Sequence, residues 1–319
     1  MADIIDGGPA AEALKAELTA DLAALADHGI VPCLATVLTG DDYGARVYRR
    51  QIERTAAEVG LAYRDVTLPA GATVADVVGS VRALAHEPAV HAILPLRPLP
   101  AAIPEAPVLD ALNPSKDIDC LHPINAGRLA MGRPAFYPAT PWACFELLDR
   151  YFRGRGLDPR TAYEGKDLVI VGRSNVVGKP AYFLALERNA TPTTVHSFTS
   201  RAGRLAEHTR RADILIVAMG KAEFVTAAMV KPGAIVVDVG INSAPLLDAA
   251  GQPVLDDRGR PRRKTVGDVA FDEVKAVASA ITPVPGGVGA VTNLLLMRNV
   301  IRAATTIAGR PTLRREGFP

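Results

Sequence analysis

One stretch constrains the fold more than any other: Val169-Ile170-Val171-Gly172-Arg173-Ser174-Asn175-Val176-Val177-Gly178-Lys179-Pro180. An apolar run ends in glycine, turns through polar residues and reopens at a second glycine. That is the pattern of a strand feeding a tight turn at a helix start. Such a turn presents backbone N–H groups next to the positive end of a helix, where a phosphate can sit. The spacing is not Gly-x-Gly-x-x-Gly, so taken alone it is weak evidence, and plain turn duty is the commoner meaning of such a turn.

What surrounds the turn makes it part of a repeating alternation. Upstream, residues 10–28 show helical periodicity, 31–38 a strand, 43–60 a helix stopped by Gly60, 61–68 a strand and 73–85 a helix. A strand opening at 91–94 breaks into the proline-rich run 95–100. Downstream, strands are expected at 167–171, 192–196, 213–218 and 234–238, with helices between the first three. Alternating strands and helices predict an α/β fold with parallel sheets covered by helices. The polar, basic segment 252–264 is expected to be a loop or hairpin, and 310–319 a loosely held end.

With 319 residues the chain is long enough for two domains. A formal net charge of +2 gives no electrostatic footprint for nucleic acid or a membrane surface. No apolar run approaches the ~20 residues of a membrane span. Acids near the N-terminus, Asp3 and Asp6, do not fit a signal peptide. Cys33, Cys120 and Cys144 have neither metal-ligand nor disulfide-framework spacing, so no metal is expected. A cytoplasmic protein follows as the default.

The second strand of the downstream series bears on cofactor choice. An acid at its end would bind a ribose 2′-hydroxyl and repel a 2′-phosphate. Here Pro192-Thr193-Thr194-Val195-His196 runs into Ser197-Phe198-Thr199-Ser200-Arg201, with hydroxyls and an arginine and no carboxylate. Arg173 stands in the first turn, and arginine binds phosphate through paired charge-assisted bonds. NADP is therefore favoured over NAD. The next strands end at Ala218-Met219-Gly220 and at Asp238-Val239-Gly240-Ile241-Asn242, where glycine lets a flat ligand approach. Cofactor-binding residues are accordingly expected at Gly172, Arg173, Ser174, Val177, Gly178, Pro180, His196, Ser197, Thr199, Gly220, Gly240 and Ile241.

Taken together, several segments resemble the methylenetetrahydrofolate dehydrogenase/cyclohydrolase family. They are Asp6-Gly7, Tyr48, Pro98-Leu99-Pro100, Lys116-Asp117-Ile118-Asp119, Asn125-Ala126-Gly127-Arg128-Leu129, Pro138-Ala139-Thr140-Pro141, the Gly172-Arg173-Ser174 turn, Val266-Gly267-Asp268-Val269 and Thr282 through Gly289. The resemblance implies two α/β domains around a cleft. A folate-binding catalytic domain would span 1–143, rejoined by 288–319, and a Rossmann-type NADP domain would span 144–287. It also implies a homodimer, a tetrahydrofolate-type substrate and oxidation of the 5,10-methylene form to the methenyl form. Folate contacts would come from Tyr48, Pro98, Leu99, Asp119, Pro283, Gly286 and Gly287, with Asp119 on the pterin.

The chain departs from the family at its acid–base group. Where the active-site helix of the family reads Ser-x-x-Tyr-x-x-x-Lys, this chain has Ala45, Tyr48 and Ile52. The glutamine expected before Pro-Leu-Pro falls on Leu96. Ala45, Tyr48, Ile52, Ala56 and Val59 also form one apolar helix stripe, which by itself predicts packed core. The expectation is a dehydrogenase that has lost the cyclohydrolase step, unless Lys116 or Arg97 replaces the lysine. The alternatives are an enzyme for a modified folate or another one-carbon carrier, and a ligand-binding protein without turnover.

Overall fold

The computed structural model describes residues 2–248 and 252–310. Apart from Arg310, the loose end expected at 310–319 lies outside the described residues. In chain order the elements are β1 (Asp3–Ile4), α1 (Gly7–Ala26), β2 (Cys33–Thr39), α2 (Tyr43–Val59), β3 (Ala62–Leu68), α3 (Val74–His86), β4 (Ala92–Pro95), α4 (Glu105–Asp110), α5 (Pro123–Ala130) and α6 (Ala139–Gly154). There follow β5 (Asp167–Val171), α7 (Gly178–Glu187), β6 (Thr191–Val195), α8 (Ser197–Arg201), α9 (Leu205–Thr209), β7 (Ile214–Val217), β8 (Ile235–Asp238), β9 (Asn242–Pro245), β10 (Arg263–Val266), α10 (Phe271–Val277), β11 (Ala280–Ile281) and α11 (Val288–Ile307).

The chain divides into two compact units. One comprises, among the described residues, Ala11–Ala139 and residues 292–310. Its sheet is three-stranded and parallel, in the order β3-β2-β4. From Leu34 to Thr39 the central strand β2 is fully buried, as expected where helices cover both faces of a parallel pair. Helix α2 begins at Asp42, whose side chain accepts the Ala45 amide at 2.8 Å. It stops at Gly60, which takes φ +80° and returns its N–H to Ala56 and Ala57, a turn that favours glycine. Of the predicted stripe, Ala45, Ile52, Ala56 and Val59 form its buried face, and Tyr48 is half-buried. A reciprocal Thr73–Asp76 capping box starts α3. Val77, Val81 and Leu84 of that helix meet Ala35, Val37 and Ile93 in one apolar core.

The other unit comprises the residues up to Ala10 with Thr140–Val291. Its sheet is six-stranded, in the order β1-β11-β8-β7-β5-β6, with every pairing parallel. The four strands expected from the apolar runs are there, as are helices between the first three. The chain leaves β5 toward β6 and returns across β5 to β7, so strand order reverses at β5. Ligands of open parallel sheets bind beyond the carboxyl ends of the strands at such a reversal. The 252–264 segment lies within the antiparallel β9–β10 hairpin, extended by bridges from Leu247 to Pro253 and from Leu255 to Pro261.

Domain limits differ from the expected 1–143 and 144–287 at the N-terminus. Residues 2–10 belong with the six-stranded unit, because β1 pairs with β11 in the register Asp3–Ala280 and Ile4–Ile281. Ala2 and Ile5 are buried there. A two-residue strand carries no periodicity by which it could be read. Among the described residues no helix is long and apolar enough to cross a membrane, and no group of three or more His, Cys, Asp or Glu could hold a metal.

Candidate functional site

The reversal point of the six-stranded sheet is where Gly172 sits, directly after β5. Its φ of +142° and the Ala218 carbonyl, which an added Cβ would strike, both demand glycine. Gly178 is equally restricted, since a Cβ there would run into the Gly172 carbonyl. The turn is therefore drawn tight against the ends of β5 and β7. Ser174 closes it, its Oγ accepting the amides of Val177 at 3.1 Å and Gly178 at 3.4 Å. That hydroxyl and those two N–H groups, expected to face a phosphate, are thus engaged inside the turn. The amides of Arg173, Ser174, Asn175 and Val176 have no acceptor among the described residues. Four unpaired N–H groups at the start of α7 fit a phosphate-bearing cofactor.

Beyond β6, His196 caps α8 rather than standing free. Its Nδ1 accepts the Phe198 amide at 3.3 Å, while its own amide goes to Thr199 Oγ1 at 3.3 Å. Ser197, Phe198 and Arg201 are exposed around this cap. Arg173 reaches across from the first turn, its guanidinium carbon 5.3 Å from the Phe198 ring centroid.

Two buried aspartates, not singled out from the sequence as site residues, arrange the loops after β7 and β8. Asp268 accepts the amides of Met219 (2.6 Å), Gly220 (2.9 Å) and Lys221 (2.8 Å), and the Asn242 side-chain amide at 2.8 Å. Asp238 accepts the amides of Gly240, Asp268 and Val269 at 2.9–3.0 Å. Gly240 and Gly267 are glycine because an added Cβ would strike Asp268 and Asp238 respectively. The sequence hints at them only through the Asp238-Val239-Gly240 strand end and the Val266-Gly267-Asp268-Val269 segment. Ile241, next to Gly240, is exposed. Pro283, Gly286 and Gly287 lie in the same unit, where the Gly286 carbonyl accepts the Gly7 amide at 2.7 Å. A cavity of about 410 Å³ opens beside Asp238, Gly267 and Pro283. None of Gly172–Pro180 or His196–Arg201 lines it.

In the three-stranded unit, Tyr48 of α2 and Asp119 come into electrostatic reach of each other and of Arg97. Asp119 Oδ1 accepts the Ala139 amide at 2.7 Å. Burial lifts its carboxyl to about 6, Asp117 adds to the rise, and the Ala139 amide and Arg97 oppose it. Burial likewise raises the Tyr48 phenol well above its ordinary value. Its hydroxyl has no hydrogen-bond partner among the described residues. The segment bearing Asp119 is clamped from α11: Asn299 Nδ2 donates to the carbonyls of Ile118 and Tyr137, both at 2.7 Å. Asp117 is structural, accepting Leu121 N, His122 N and Asn125 Nδ2, each at 2.9 Å. Pro98 and Leu99 follow Arg97, Pro98 exposed and Leu99 half-buried against the apolar core.

Ile52 is 0% exposed and Leu96 1%. Lys116 does not reach the Tyr48–Asp119 pair as a free amine. Its Nζ donates to the Glu87 carbonyl at 2.8 Å and the Leu84 carbonyl at 3.4 Å, closing the end of α3. Arg97 is the cation near the pair, with Glu105 as its ion-pair partner at 3.2 Å.

The tetrahydrofolate dehydrogenase/cyclohydrolase catalytic-domain model matches residues 5–119, and the corresponding NAD(P)-binding-domain model matches residues 138–308. The bifunctional protein FolD 3 of Rubrobacter xylanophilus is 46% identical, over 98% of this chain and 95% of its own length. The crystal structure of the bifunctional FolD methylenetetrahydrofolate dehydrogenase/cyclohydrolase of Campylobacter jejuni superposes with a TM-score of 0.84 at 36% identity, covering 96% of this chain and 99% of that one. The Trypanosoma brucei methylenetetrahydrofolate dehydrogenase-cyclohydrolase, solved with NADP and an inhibitor, gives 0.83 at 34% identity, covering 97% and 99%.

Proposed function

The chain belongs to the tetrahydrofolate dehydrogenase/cyclohydrolase family, and from that premise we propose that it oxidises 5,10-methylenetetrahydrofolate with NADP and has lost efficient cyclohydrolase activity. One observation carries the second half: Ile52 and Leu96, at the positions of the family's lysine and glutamine, are apolar and sealed from solvent. Hydrolysis needs a water made nucleophilic at the methenyl carbon and a proton delivered to folate N5 as its bond to that carbon breaks. Losing general acid–base help costs about 10²–10⁴-fold. Arg97 is no substitute, because a guanidinium stays protonated in proteins and cannot relay a proton.

Oxidation asks less of the side chains. The lone pair of folate N5 expels hydride from the methylene carbon, provided that carbon is held in place. Bound NADP supplies the hydride acceptor. Asp119 would accept the pterin N–H donors as a carboxylate, and Tyr48 would brace the ring and use its unpaired hydroxyl. The amides of Arg173–Val176 would hold cofactor phosphate, with Arg173 and Ser197 on the 2′-phosphate and Gly220, Gly240 and Ile241 beside the rest. The NADP complex of the trypanosomal relative supports that choice of cofactor. The homodimer implied by the resemblance belongs to the same proposal.

The test is a paired assay on purified protein: NADPH formation from methylenetetrahydrofolate, and methenyltetrahydrofolate decay against buffer. Turnover in the first with only the spontaneous rate in the second is expected. Hydrolysis well above buffer would overturn the loss of the cyclohydrolase.

A further inference from the structure

Arg173 and Arg201 come from different elements, the turn after β5 and the end of α8, and meet at one aromatic ring. Their guanidinium carbons lie 5.3 and 4.8 Å from the Phe198 ring centroid. Neither has an acidic partner among the described residues. Phe198, in the first turn of α8, is 56% exposed. It is held from behind. His196 Nδ1 takes its amide, and the imidazole stands edge-on at 5.9 Å and 82°.

Two like charges on one exposed ring repel, and the ring face offsets only about 0.5–1 kcal/mol for each at an exposed site. An anion held by both guanidinium groups would relieve that repulsion. We propose that Arg201 is a second 2′-phosphate-binding residue and that Phe198 is its positioning residue, aligning Arg201 with Arg173 as a two-armed clamp. This rests on the NADP reading above and extends it. Arg173 alone offers a single fork to a dianion that can accept two. All three side chains are on the surface, so their replacement leaves the core untouched.

The test is calorimetric titration of the full chain with 2′,5′-ADP and with 5′-ADP, which lacks the phosphate in question. Arg201→Ala is expected to weaken 2′,5′-ADP about tenfold, near the 1.4 kcal/mol of one lost charged contact, and to leave 5′-ADP unchanged. Phe198→Ala should weaken 2′,5′-ADP less, roughly threefold, with Phe198→Tyr close to the unaltered protein. If Phe198 works through Arg201, adding Phe198→Ala to Arg201→Ala should cost little more than Arg201→Ala alone. Unchanged 2′,5′-ADP affinity in Arg201→Ala would remove Arg201 from the site. Equal weakening of both nucleotides by Phe198→Ala would mean the ring stacks on adenine and the positioning role is wrong. An unaltered protein that binds both nucleotides equally would instead overturn the NADP preference itself.

Discussion

Asp119 carries a protonation equilibrium that the proposed chemistry must obey. With its carboxyl lifted to about 6, the folded protein holds a proton there that the unfolded chain, near 4, has already released. The favourable contribution to folding is therefore complete below about 4 and lost as pH rises through 6. Folate recognition runs the other way, since only the carboxylate accepts pterin N–H groups. kcat/KM for the folate should rise with pH through about 6 and level above it, and Asp119→Asn should flatten that limb while sharply lowering its plateau. Asp238 is also lifted to about 6 by burial. Nucleotide binding followed across the same pH range separates the two, because Asp119→Asn should leave it untouched. At Ile52 the residue-scale expectation concerns stability. A lysine at a fully buried position, with Leu96 unable to accept a hydrogen bond, should cost about 3–5 kcal/mol by denaturant unfolding. Leu96→Gln in the same chain should recover part of that cost, and that pair is the variant in which methenyltetrahydrofolate hydrolysis should be sought. The helix stripe predicted Ile52 as core, and it is core. The sequence could not reveal that Lys116 is spent on the end of α3, because the carbonyls that bind it come from residues some thirty positions away.

At the scale of elements, the turn after β5 is a join between three pieces of backbone. Gly178→Ala would drive a methyl into the Gly172 carbonyl, so the start of α7 must move. A loss of about 1–3 kcal/mol is expected, with nucleotide affinity falling as the free amides of Arg173–Val176 shift. Asp268 is the matching device on the other side of β5. Asp268→Ala strands three amides and a side-chain amide and should cost roughly 2–4 kcal/mol, weakening nucleotide binding more than folate binding. Thermal unfolding with and without 2′,5′-ADP reads both effects. Long elements were legible because their apolar periodicity extends over many residues: β2, α2, β3, α3 and β5–β8 lie within a few residues of their expected limits. The Asp238–Asp268 pair was not, because it is an agreement between loops whose sequence looks like ordinary turns. That the helix expected between β6 and β7 is divided into the short α8 and α9 was hidden too, since the start of α8 depends on a histidine acting as cap.

For the molecule as a whole, alternation predicted parallel sheets in two units, and two units are present. Strand order was beyond reach, because it is set by pairings between segments far apart in sequence, β1 with β11 above all. Removal of residues 2–5 takes away that edge strand and the buried Ala2 and Ile5. A melting temperature lower by roughly 5 °C is expected for the six-stranded unit, from the loss of about 2 kcal/mol of apolar burial. Unchanged melting would mean β1 is ornamental. The same pairing imposes an order of birth. Asp3 and Ile4 leave the ribosome long before their partners Ala280 and Ile281. At about 5–20 residues per second the earlier segment waits on the order of tens of seconds for its place in the sheet. The nascent chain must therefore carry this strand unpaired for all that time, and the sheet can close on that edge only once Ala280 and Ile281 have emerged.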